Sequence, residues 1–399
     1  MSPRHDRGFD LEGRLREREV RDLRRDLTPV DRVAGRARTA TDPGGEKPVF
    51  EDEALVFAAN NYLGLAGDER VADAAASAAH EIGTGAGASR LIVGDTPAHR
   101  SLERALAAEK STERALAFSS GYAANVGTIT ALDPDVVFSD RLNHASIIDG
   151  VRLSGADVEV YDHRDPDALR AAMAERDRTG EEGGSWLVVT DSVFSMDGTV
   201  APLEELCAVT EEYGAWLMVD DAHATAVHEG GIVGKRGLAD RVEIQLGTLS
   251  KALGAQGGFV AGSETLVEHL LNAARSFVFS TGLAPPAAAA AERALELAPG
   301  RRDRLQANTG RLRAGLETAG YEVWGESHIL PVLVGDREDA LALDEQLREA
   351  GVLTPAIRPP TVPEGTSRIR LAPQATHTEA EIDRAVSAFE TAGRTVGLL

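Results

Sequence analysis

The chain has 399 residues, enough to bury a large core, and we expect one large domain with a smaller one beside it. Its 64 acidic residues outnumber the 42 basic ones and give a formal charge of −22, which opposes binding to nucleic acid or to an anionic membrane. A single cysteine, Cys207, excludes an internal disulfide framework. No stretch reads as a membrane span or a signal core, so we predict a cytoplasmic protein.

The first 47 residues are rich in arginine and carry leucines at helical spacing, at Leu11 and Leu15 and again at Leu23 and Leu27. This pattern predicts a helical arm that packs on the main body. A stretch rich in proline and glycine then separates the arm from the rest of the chain.

Two early segments of the main body end in residues that suit a ligand site. A first strand runs into Asn60, and a second, over 115–118, runs into a Ser-Ser-Gly turn at 119–121. The helix that starts there has unpaired backbone N–H groups that can bind a phosphate, although the serines could also act as simple N-caps. The glycine-rich stretch 83–95 is not a dinucleotide-binding fingerprint, and 98–110 reads as an amphipathic helix.

The middle of the chain predicts a parallel sheet. A strand over 136–138 leads to His144, whose flat ring could lie against a bound pyridine or serve as a capping or core histidine. A strand over 186–190, a helix over 202–213 and a returning strand over 216–219 form a βαβ unit.

The strongest chemical signal lies where two buried strands end. The strand over 216–219 leads to Asp220 and His223, and the strand over 244–246 leads to Thr248 and Lys251. Parallel strands present their carboxyl ends to a crevice where ligands bind. A lysine that forms a Schiff base and a carboxylate that keeps a pyridine nitrogen protonated are what pyridoxal phosphate requires. Either residue alone reads as a turn or a solvated lysine, but Lys251 alone of the four lysines follows a buried strand.

From residue 285 the sequence alternates between helices and strands, which predicts a second, smaller α+β domain. Its predicted elements are helices over 303–319, 336–350 and 378–392 and strands over 329–334 and 367–371. Between the last two helices, Arg358 precedes two prolines that fix the loop. A preorganised guanidinium can clamp a carboxylate, while an ordinary surface arginine is the alternative.

Eight motifs in order resemble those of the α-oxoamine synthases, pyridoxal phosphate enzymes of fold type I. They extend from about residue 60 to 392 and are NNYLGL, GASRLIVGDTPAHRSLE, SSGYAAN, DRLNHASIIDGVRLSGA, DSVFSMDG, LMVDDAHATAV, GTLSKALGAQGG and AIRPPTVP. The resemblance implies an α/β fold like that of aspartate aminotransferase, with a mostly parallel central sheet flanked by helices and a smaller C-terminal α+β domain. We expect an arm over 1–47, a large cofactor-binding domain over 48–284 and a small domain over 285–399.

The same resemblance implies roles for individual residues and no metal. Lys251 would hold the cofactor, Asp220 would pair with its ring nitrogen, and His144 would stack on its face. Further expected contacts are Ser195 and His223 to the ring oxygen, Gly121, Tyr122 and Thr248 to the phosphate, Ser280 and Thr281 to the phosphate of a partner subunit, Asn60 and Arg358 to the amino-acid substrate, and Arg24 to the acyl-CoA. Ala224 departs from the family, which usually has Gly or Ser there, so the turn at 224 is in question.

Within the family, the RPPTVP and RLIVG stretches look most like the biotin-pathway member. That likeness implies the decarboxylating condensation of L-alanine with a pimeloyl thioester, in a homodimer with shared active sites. The motif NHASIIDGVRLSGA is shared with the subgroup that condenses glycine with acetyl-CoA, which is the alternative. An enzyme of the aminotransferase type and a non-catalytic acidic scaffold are the remaining rivals.

Overall fold

The computed structural model describes residues 8–21, 23–42, 44–50, 52–179 and 184–399. Its strands are β1 (Arg36–Ala37), β2 (Ala54–Val56), β3 (Arg114–Phe118), β4 (Val136–Asp140), β5 (Asp157–Tyr161), β6 (Trp186–Asp191), β7 (Trp216–Asp220), β8 (Ile244–Thr248), β9 (Gly258–Gly262), β10 (Leu330–Gly335), β11 (Val352–Leu353), β12 (Ala356–Ile357) and β13 (Ser367–Leu371).

The helices surround these strands, and none of the described ones is long and apolar enough to cross a membrane. They are α1 (Leu11–Val20), α2 (Glu69–Glu81), α3 (Pro97–Lys110), α4 (Gly121–Leu132), α5 (Ala145–Ser154), α6 (Pro166–Thr179), α7 (Leu203–Tyr213), α8 (Gly231–Lys235), α9 (Glu264–Ala273), α10 (Arg275–Val278), α11 (Pro285–Leu297), α12 (Pro299–Ala319), α13 (Arg337–Glu349) and α14 (Glu379–Val396).

Seven strands form the central sheet, in the order β3-β9-β8-β7-β6-β4-β5. All neighbours from β8 to β5 are parallel, whereas β9 is antiparallel to both β8 and β3. Apolar side chains on both faces of this sheet are buried in two core clusters, as a sheet covered by helices on both sides requires. The predicted mostly parallel sheet with flanking helices is confirmed. The short strand β9 was not predicted, because its small residues GFVAG follow a turn without a break in composition.

A second body contains two three-stranded sheets, β10-β13-β12 and β1-β2-β11. Strand β2 pairs in parallel with β11, and Leu55 and Phe57 pack in the same core cluster as residues of α12, α13 and α14. The C-terminal α+β region therefore shares its core with a segment from near the start of the chain. The three-part domain division stays a prediction, and it counts β2 with the large domain.

The N-terminal arm is less helical than predicted. Helix α1 ends at Val20, and residues 23–29 are irregular, so the expected continuation of the helix through Leu23 and Leu27 is wrong. Two features explain the early end: the backbone N–H of Leu23 turns back to the Arg18 carbonyl, and Leu27 is 90% exposed. Without an apolar face to bury, the leucine spacing does not stabilise a longer helix.

Candidate active site

The candidate site lies at the carboxyl edge of the central sheet. Asp191, Asp220 and Thr248 are the last residues of β6, β7 and β8, and in the sheet register Asp191 stands opposite Asp220. His144 caps the start of α5, a few residues past the end of β4. Adjacent parallel strands end at the same edge, which brings these polar side chains together as predicted.

Asp220 is buried and held through both carboxylate oxygens. One accepts a hydrogen bond from the backbone N–H of Ala222 at 2.8 Å, and the other accepts one from the side-chain amide of Asn125 at 2.7 Å. These donors fix the direction in which the carboxylate points. Asn125 lies in α4 and its own carbonyl oxygen has no hydrogen-bond partner among the described residues.

The same amide of Asn125 also orients His144. It donates to Ser146 Oγ at 2.9 Å, and Ser146 Oγ lies 2.7 Å from His144 Nδ1. Because the backbone N–H of Ser146 also donates to His144 Nδ1, at 3.2 Å, that nitrogen carries a lone pair and the ring proton is on Nε2. Burial lowers the pKa of His144, so the ring is neutral at pH 7.

A buried carboxyl group supports this histidine from the other side. The backbone N–H of His144 donates to Asp191 Oδ2 at 2.8 Å. Burial, together with the negative charge of Asp220, raises the pKa of Asp191 well above its usual value. Asp191 directly follows the predicted strand over 186–190, and the sequence analysis assigned it no role.

Lys251 lies next to His223, with 2.8 Å between Lys251 Nζ and His223 Nε2. Burial lowers the pKa of the lysine to about 8, against the opposing effect of Asp220 and Asp191 and with a smaller contribution from Arg370. An amine with this pKa is partly neutral near physiological pH and can act as a nucleophile. Burial and the charge of Lys251 lower the pKa of His223 well below its usual value, so this histidine is neutral.

A third group joins His223 to the C-terminal region. Tyr62 Oη lies 2.6 Å from His223 Nδ1 and donates to Asn60 Oδ1 at 3.0 Å. Arg370, in β13, donates to the same Asn60 oxygen at 2.9 Å, and its Nε donates to the Ser195 carbonyl at 2.5 Å. Arg370 is only 4% exposed, so a guanidinium that can bind a carboxylate lies inside the site.

The loop that carries Ser195 is held by two arginines of one strand. Arg368 and Arg370 are two residues apart and lie on one face of β13. Arg368 donates to Asp197 Oδ1 at 2.7 Å and to the Met196 carbonyl at 3.2 Å. The small C-terminal sheet thus fixes the loop after β6, and with it the position of Ser195.

The start of α4 offers backbone N–H groups, as the sequence predicted. Ser120 caps this helix by accepting from the N–H of Ala123, while the N–H groups of Gly121 and Tyr122 have no partner among the described residues. Strand β9 approaches closely: a Cβ at Gly258 would lie 2.5 Å from the Gly121 backbone. The pair of amides beside Thr248 fits a phosphate group.

Other predicted contacts have different surroundings. The Thr248 hydroxyl donates to the Gly257 carbonyl at 3.0 Å, and the exposed Tyr122 phenol donates to Asp149 at 2.7 Å. Ser280 and Thr281 lie in the loop between α10 and α11, where the Ser280 hydroxyl donates to the Thr281 carbonyl at 3.3 Å. Their predicted contact to a partner subunit stays a prediction.

Arg24 and Arg358 lie together. Both line a cleft of about 190 Å³, formed by Leu23, Arg24 and Arg25 of the arm and by the proline loop at 356–361. The family resemblance implied separate roles for these two arginines, Arg24 for the acyl-CoA and Arg358 for the amino acid. The contact of Arg358 with the amino-acid carboxylate stays a prediction, and Arg370 is the arginine that contacts Asn60 and Tyr62.

The turn after His223 tolerates the departure from the family pattern. Ala224 is fully buried and is absent from the residues with positive φ, whereas Ala226, two positions later, has φ of 64°. The left-handed backbone conformation therefore falls at Ala226, where an alanine carries the strain.

A buried ion pair lies directly behind Asp220. Lys110, at the end of α3, donates to Asp221 Oδ2 at 2.6 Å, and neither side chain is exposed. The sequence analysis placed Lys110 at the end of the amphipathic helix over 98–110 and missed this contact. Glu109 and Glu113 nearby made the segment look solvated, and the spacing of Lys110 from the apolar face of α3 was the available signal.

Comparisons with known proteins agree with this geometry. The family model described as Aminotransferase class I and II matches residues 52–389, most of the chain. The chain belongs to that family. A curated relative, the 8-amino-7-oxononanoate synthase of Geotalea daltonii, is 46% identical over 357 residues, which cover 87% of this chain and 90% of the relative. The predicted membership of the α-oxoamine synthases, within the wider family, is confirmed.

Solved structures of the family share the whole fold. The serine palmitoyltransferase of Sphingomonas wittichii is 31% identical, has a TM-score of 0.89 and is matched over 98% of both chains. A high-resolution SPT structure with pyridoxal phosphate as an internal aldimine is 29% identical, with a TM-score of 0.89 over 97% of this chain and 98% of that one. The aminotransferase-like fold predicted from the motifs is thereby confirmed.

Proposed function

We propose that the protein is a pyridoxal-phosphate-dependent acyltransferase that condenses L-alanine with a pimeloyl thioester and releases carbon dioxide and coenzyme A. The observation that carries the proposal is the placement of Lys251, Asp220 and His144 at one sheet edge, in a chain 46% identical to an 8-amino-7-oxononanoate synthase. Such an enzyme makes 8-amino-7-oxononanoate, in biotin biosynthesis.

The residues present fit the cofactor. Lys251 supplies a buried amine with a pKa of about 8 for the aldehyde, and the amides of Gly121 and Tyr122 supply donors for the phosphate. Asp220 supplies a fixed carboxylate for the ring nitrogen and His144 a flat neutral ring. Ser195 would donate a hydrogen bond to the ring oxygen, and His223 would contact that oxygen through Nε2, the nitrogen that faces Lys251. When bound, pyridoxal phosphate provides an electron sink for charge that develops at the amino acid's α-carbon.

The protein's own groups then orient the amino acid and move its proton. Arg370 and Asn60 form a preformed polar surface beside Lys251, and we assign the amino-acid carboxylate to them. The Nζ atom of Lys251 would accept the α-proton of the amino acid and return a proton later. His144 can donate from Nε2, the nitrogen that its contacts with Ser146 leave protonated.

The acyl donor is assigned to the cleft between the arm and the proline loop. Arg24, Arg25 and Arg358 line this cleft, in a protein whose net charge is −22, and Arg24 also pairs with Glu19 at 3.3 Å. A phosphorylated coenzyme or the far carboxylate of a pimeloyl chain would be attracted to this cleft. An acetyl group offers neither the carboxylate nor the chain length.

The active unit is proposed to be a homodimer. Ile92, Val93 and Phe279 are each more than 70% exposed, and they lie on neighbouring segments because Ser89 Oγ donates to the Val278 carbonyl at 2.8 Å. Apolar side chains exposed side by side favour association. This surface adjoins Ser280 and Thr281, which would reach the partner's phosphate site. A native mass that is monomeric in the wild-type protein and unchanged in Phe279→Asp would count against the dimer.

A thiol-release assay tests the reaction. Purified protein with pyridoxal phosphate is given L-alanine plus pimeloyl-CoA, or glycine plus acetyl-CoA, and free coenzyme A is measured with a thiol reagent. We expect kcat/KM to favour the first pair. Cys207, the single cysteine, is buried and contributes little background. Preference for the second pair would make the protein a glycine acyltransferase, and amino-group transfer without thiol release would make it an aminotransferase.

A further inference from the structure

The phenol of Tyr62 lies at the centre of the contacts between Lys251 and the C-terminal region. Its side chain is fully buried, and its oxygen is within hydrogen-bond distance of His223 Nδ1, Asn60 Oδ1 and Arg370 Nη2, at 2.6, 3.0 and 3.4 Å. Burial raises the pKa of Tyr62 to about 12, so the phenol keeps its single proton at neutral pH.

The partners decide where that proton points. A guanidinium can only donate, so Arg370 donates to the Tyr62 oxygen and to Asn60 Oδ1. The second of these bonds fixes the amide of Asn60 with its oxygen towards Tyr62, because its NH₂ group could not accept from Arg370. Because the Asn60 oxygen can only accept, the Tyr62 hydroxyl is the donor in their 3.0 Å hydrogen bond.

The tautomer of His223 follows from this arrangement. With the Tyr62 proton directed at Asn60, the short contact to His223 requires that Nδ1 of the histidine donates. A neutral imidazole carries one proton, so Nε2 has a lone pair, and that nitrogen faces Lys251 Nζ at 2.8 Å. The histidine is neutral because burial and the positive charges of Lys251 and Arg370, with smaller effects of His328 and His144, lower its pKa.

We propose that Tyr62 is a positioning residue that holds the Nε2 lone pair of His223 towards Lys251. An acceptor at this place favours the ammonium form of the lysine. The other charged groups that act on Lys251 are Asp220, Asp191 and Arg370. Burial and the charge of Arg370 lower the pKa of Lys251, whereas the two carboxyl groups raise it. Asn60 and Arg370 also form the proposed site for the amino-acid carboxylate. A substrate bound there would alter the hydrogen bonds of Tyr62 and, through His223, the protonation of Lys251.

Only the link between Tyr62 and substrate binding rests on the proposed function. Titration of Lys251 is measured in the cofactor-free protein, without substrate. The chain has four lysines, so competitive labelling with an amine reagent across pH, read by mass spectrometry, reports Lys251 separately. Wild type should show a midpoint near 8.

In Tyr62→Phe the Nδ1–H of His223 loses its acceptor, and the tautomer with a proton on Nε2 is no longer disfavoured. That proton would face Lys251 and oppose the ammonium form. We expect the Lys251 midpoint to fall by ~1 pH unit, which raises its labelling rate at pH 7 roughly fivefold. The matched control is Tyr321→Phe: the Tyr321 hydroxyl is bonded to the Phe389 carbonyl at 2.7 Å, in the core of the other body, and this variant should label like wild type.

A second variant tests the direction of the Tyr62 proton. Asn60→Ala removes the acceptor, so the hydroxyl is free to turn and donate to His223 Nδ1, which places a proton on Nε2; labelling of Lys251 should again rise. Folded Tyr62→Phe and Asn60→Ala proteins in which Lys251 titrates as in wild type would overturn the inference. If Tyr62→Phe does not fold, Asn60→Ala decides. If the wild-type protein releases no thiol, the proposed function is refuted, and the Lys251 titration still tests this inference.

Discussion

One side-chain amide, that of Asn125, donates both to Asp220 Oδ2 at 2.7 Å and to Ser146 Oγ at 2.9 Å. Because Ser146 in turn contacts His144, the carboxylate and the imidazole are oriented by one group in α4. The direction of the carboxylate and the tautomer of the histidine are therefore set together, before any ligand binds. A site built this way loses little free energy to reorganisation when charge develops in it.

Asp220→Asn should keep the fold and lower kcat by roughly a thousandfold. The substitution removes a negative charge from a buried site, where such a charge stabilises a transition state by several kcal/mol. Steady-state thiol release measures the loss, and circular dichroism checks the fold. Asp167→Asn is the control, since the Asp167 side chain is on the surface and forms an ion pair with Arg170. A variant at 220 with near-normal kcat would remove this carboxylate from the mechanism.

Lys251→Ala should abolish covalent retention of the cofactor. The protein is loaded with pyridoxal phosphate, reduced with borohydride, denatured and weighed by mass spectrometry. Wild type should gain the mass of one reduced cofactor, and the variant none, because Lys110 is sealed in an ion pair. Lys235→Ala, which removes a lysine at the end of α8, should behave like wild type. Cofactor that stays attached to the Lys251→Ala chain would mean that another lysine is the attachment site.

Replacement of the two candidate carboxylate ligands should separate their roles. Arg370→Ala removes the buried guanidinium that contacts Asn60, so KM for the amino acid should rise by at least tenfold. Arg358→Ala alters the cleft shared with Arg24, so KM for the acyl thioester should rise instead. Both constants are measured for both variants, and each protein serves as the control for the other. The reverse pattern would restore Arg358 as the ligand that the sequence predicted for the amino acid.

Lys110→Met should destabilise the protein without touching the site directly. It leaves Asp221 buried without its partner, and loss of one member of a buried ion pair typically costs about 3–5 kcal/mol. Urea unfolding should show a lower midpoint than wild type, and Lys235→Met should not change it. Equal midpoints for the two variants would show that the Lys110–Asp221 pair contributes little to stability.

Acid should destabilise the protein below about pH 6.5. Burial lowers the pKa of His328 to about 3 and of His228 to about 4, and it lowers those of His144 and His223 as well. The unfolded chain then binds protons that the folded chain excludes, so the free energy of unfolding falls as pH falls below the ordinary histidine value. Melting temperatures at pH 8 and pH 5 measure this.

A pair of variants tests the histidine origin of the acid effect. His228→Gln should reduce the drop in melting temperature between pH 8 and pH 5, because it removes one group that must take up a proton on unfolding. The exposed His80, replaced by Gln, should leave the drop unchanged. A drop that is the same in both variants would assign the acid sensitivity to carboxyl groups instead.

The central sheet and its carboxyl edge could be predicted from the sequence, because each buried parallel strand is a short apolar run that the local sequence shows. The strand over 216–219 and the residues after it needed no knowledge of distant parts of the chain, and β7 ends at Asp220. The predicted C-terminal strand over 367–371 coincides with β13. Apolar runs bounded by turn residues identify such elements without tertiary context.

Residues that depend on distant pairing escaped prediction. Arg370 lies within the predicted strand over 367–371 and was given no role. Two arginines on one face of a buried strand nevertheless indicate that polar partners lie opposite them. Tyr62 reads as one apolar residue among others until His223 is placed beside it. Lys110 looked solvated because the local sequence is charged, and only the fold shows that Asp221 lies 2.6 Å away.

The hydrogen bonds from β13 to the rest of the site have a consequence for synthesis on the ribosome. Arg370 and Asn60 are 310 positions apart, and Arg368 and Asp197 are 171 apart. Domains form from the N-terminus as the chain emerges at about 5–20 residues per second. A nascent chain therefore contains Lys251 and Asp220 for several seconds before Arg368 and Arg370 exist to hold Asn60 and the Ser195 loop. A prematurely terminated product would lack this closure, so only a nearly finished translation product can assemble the complete pocket.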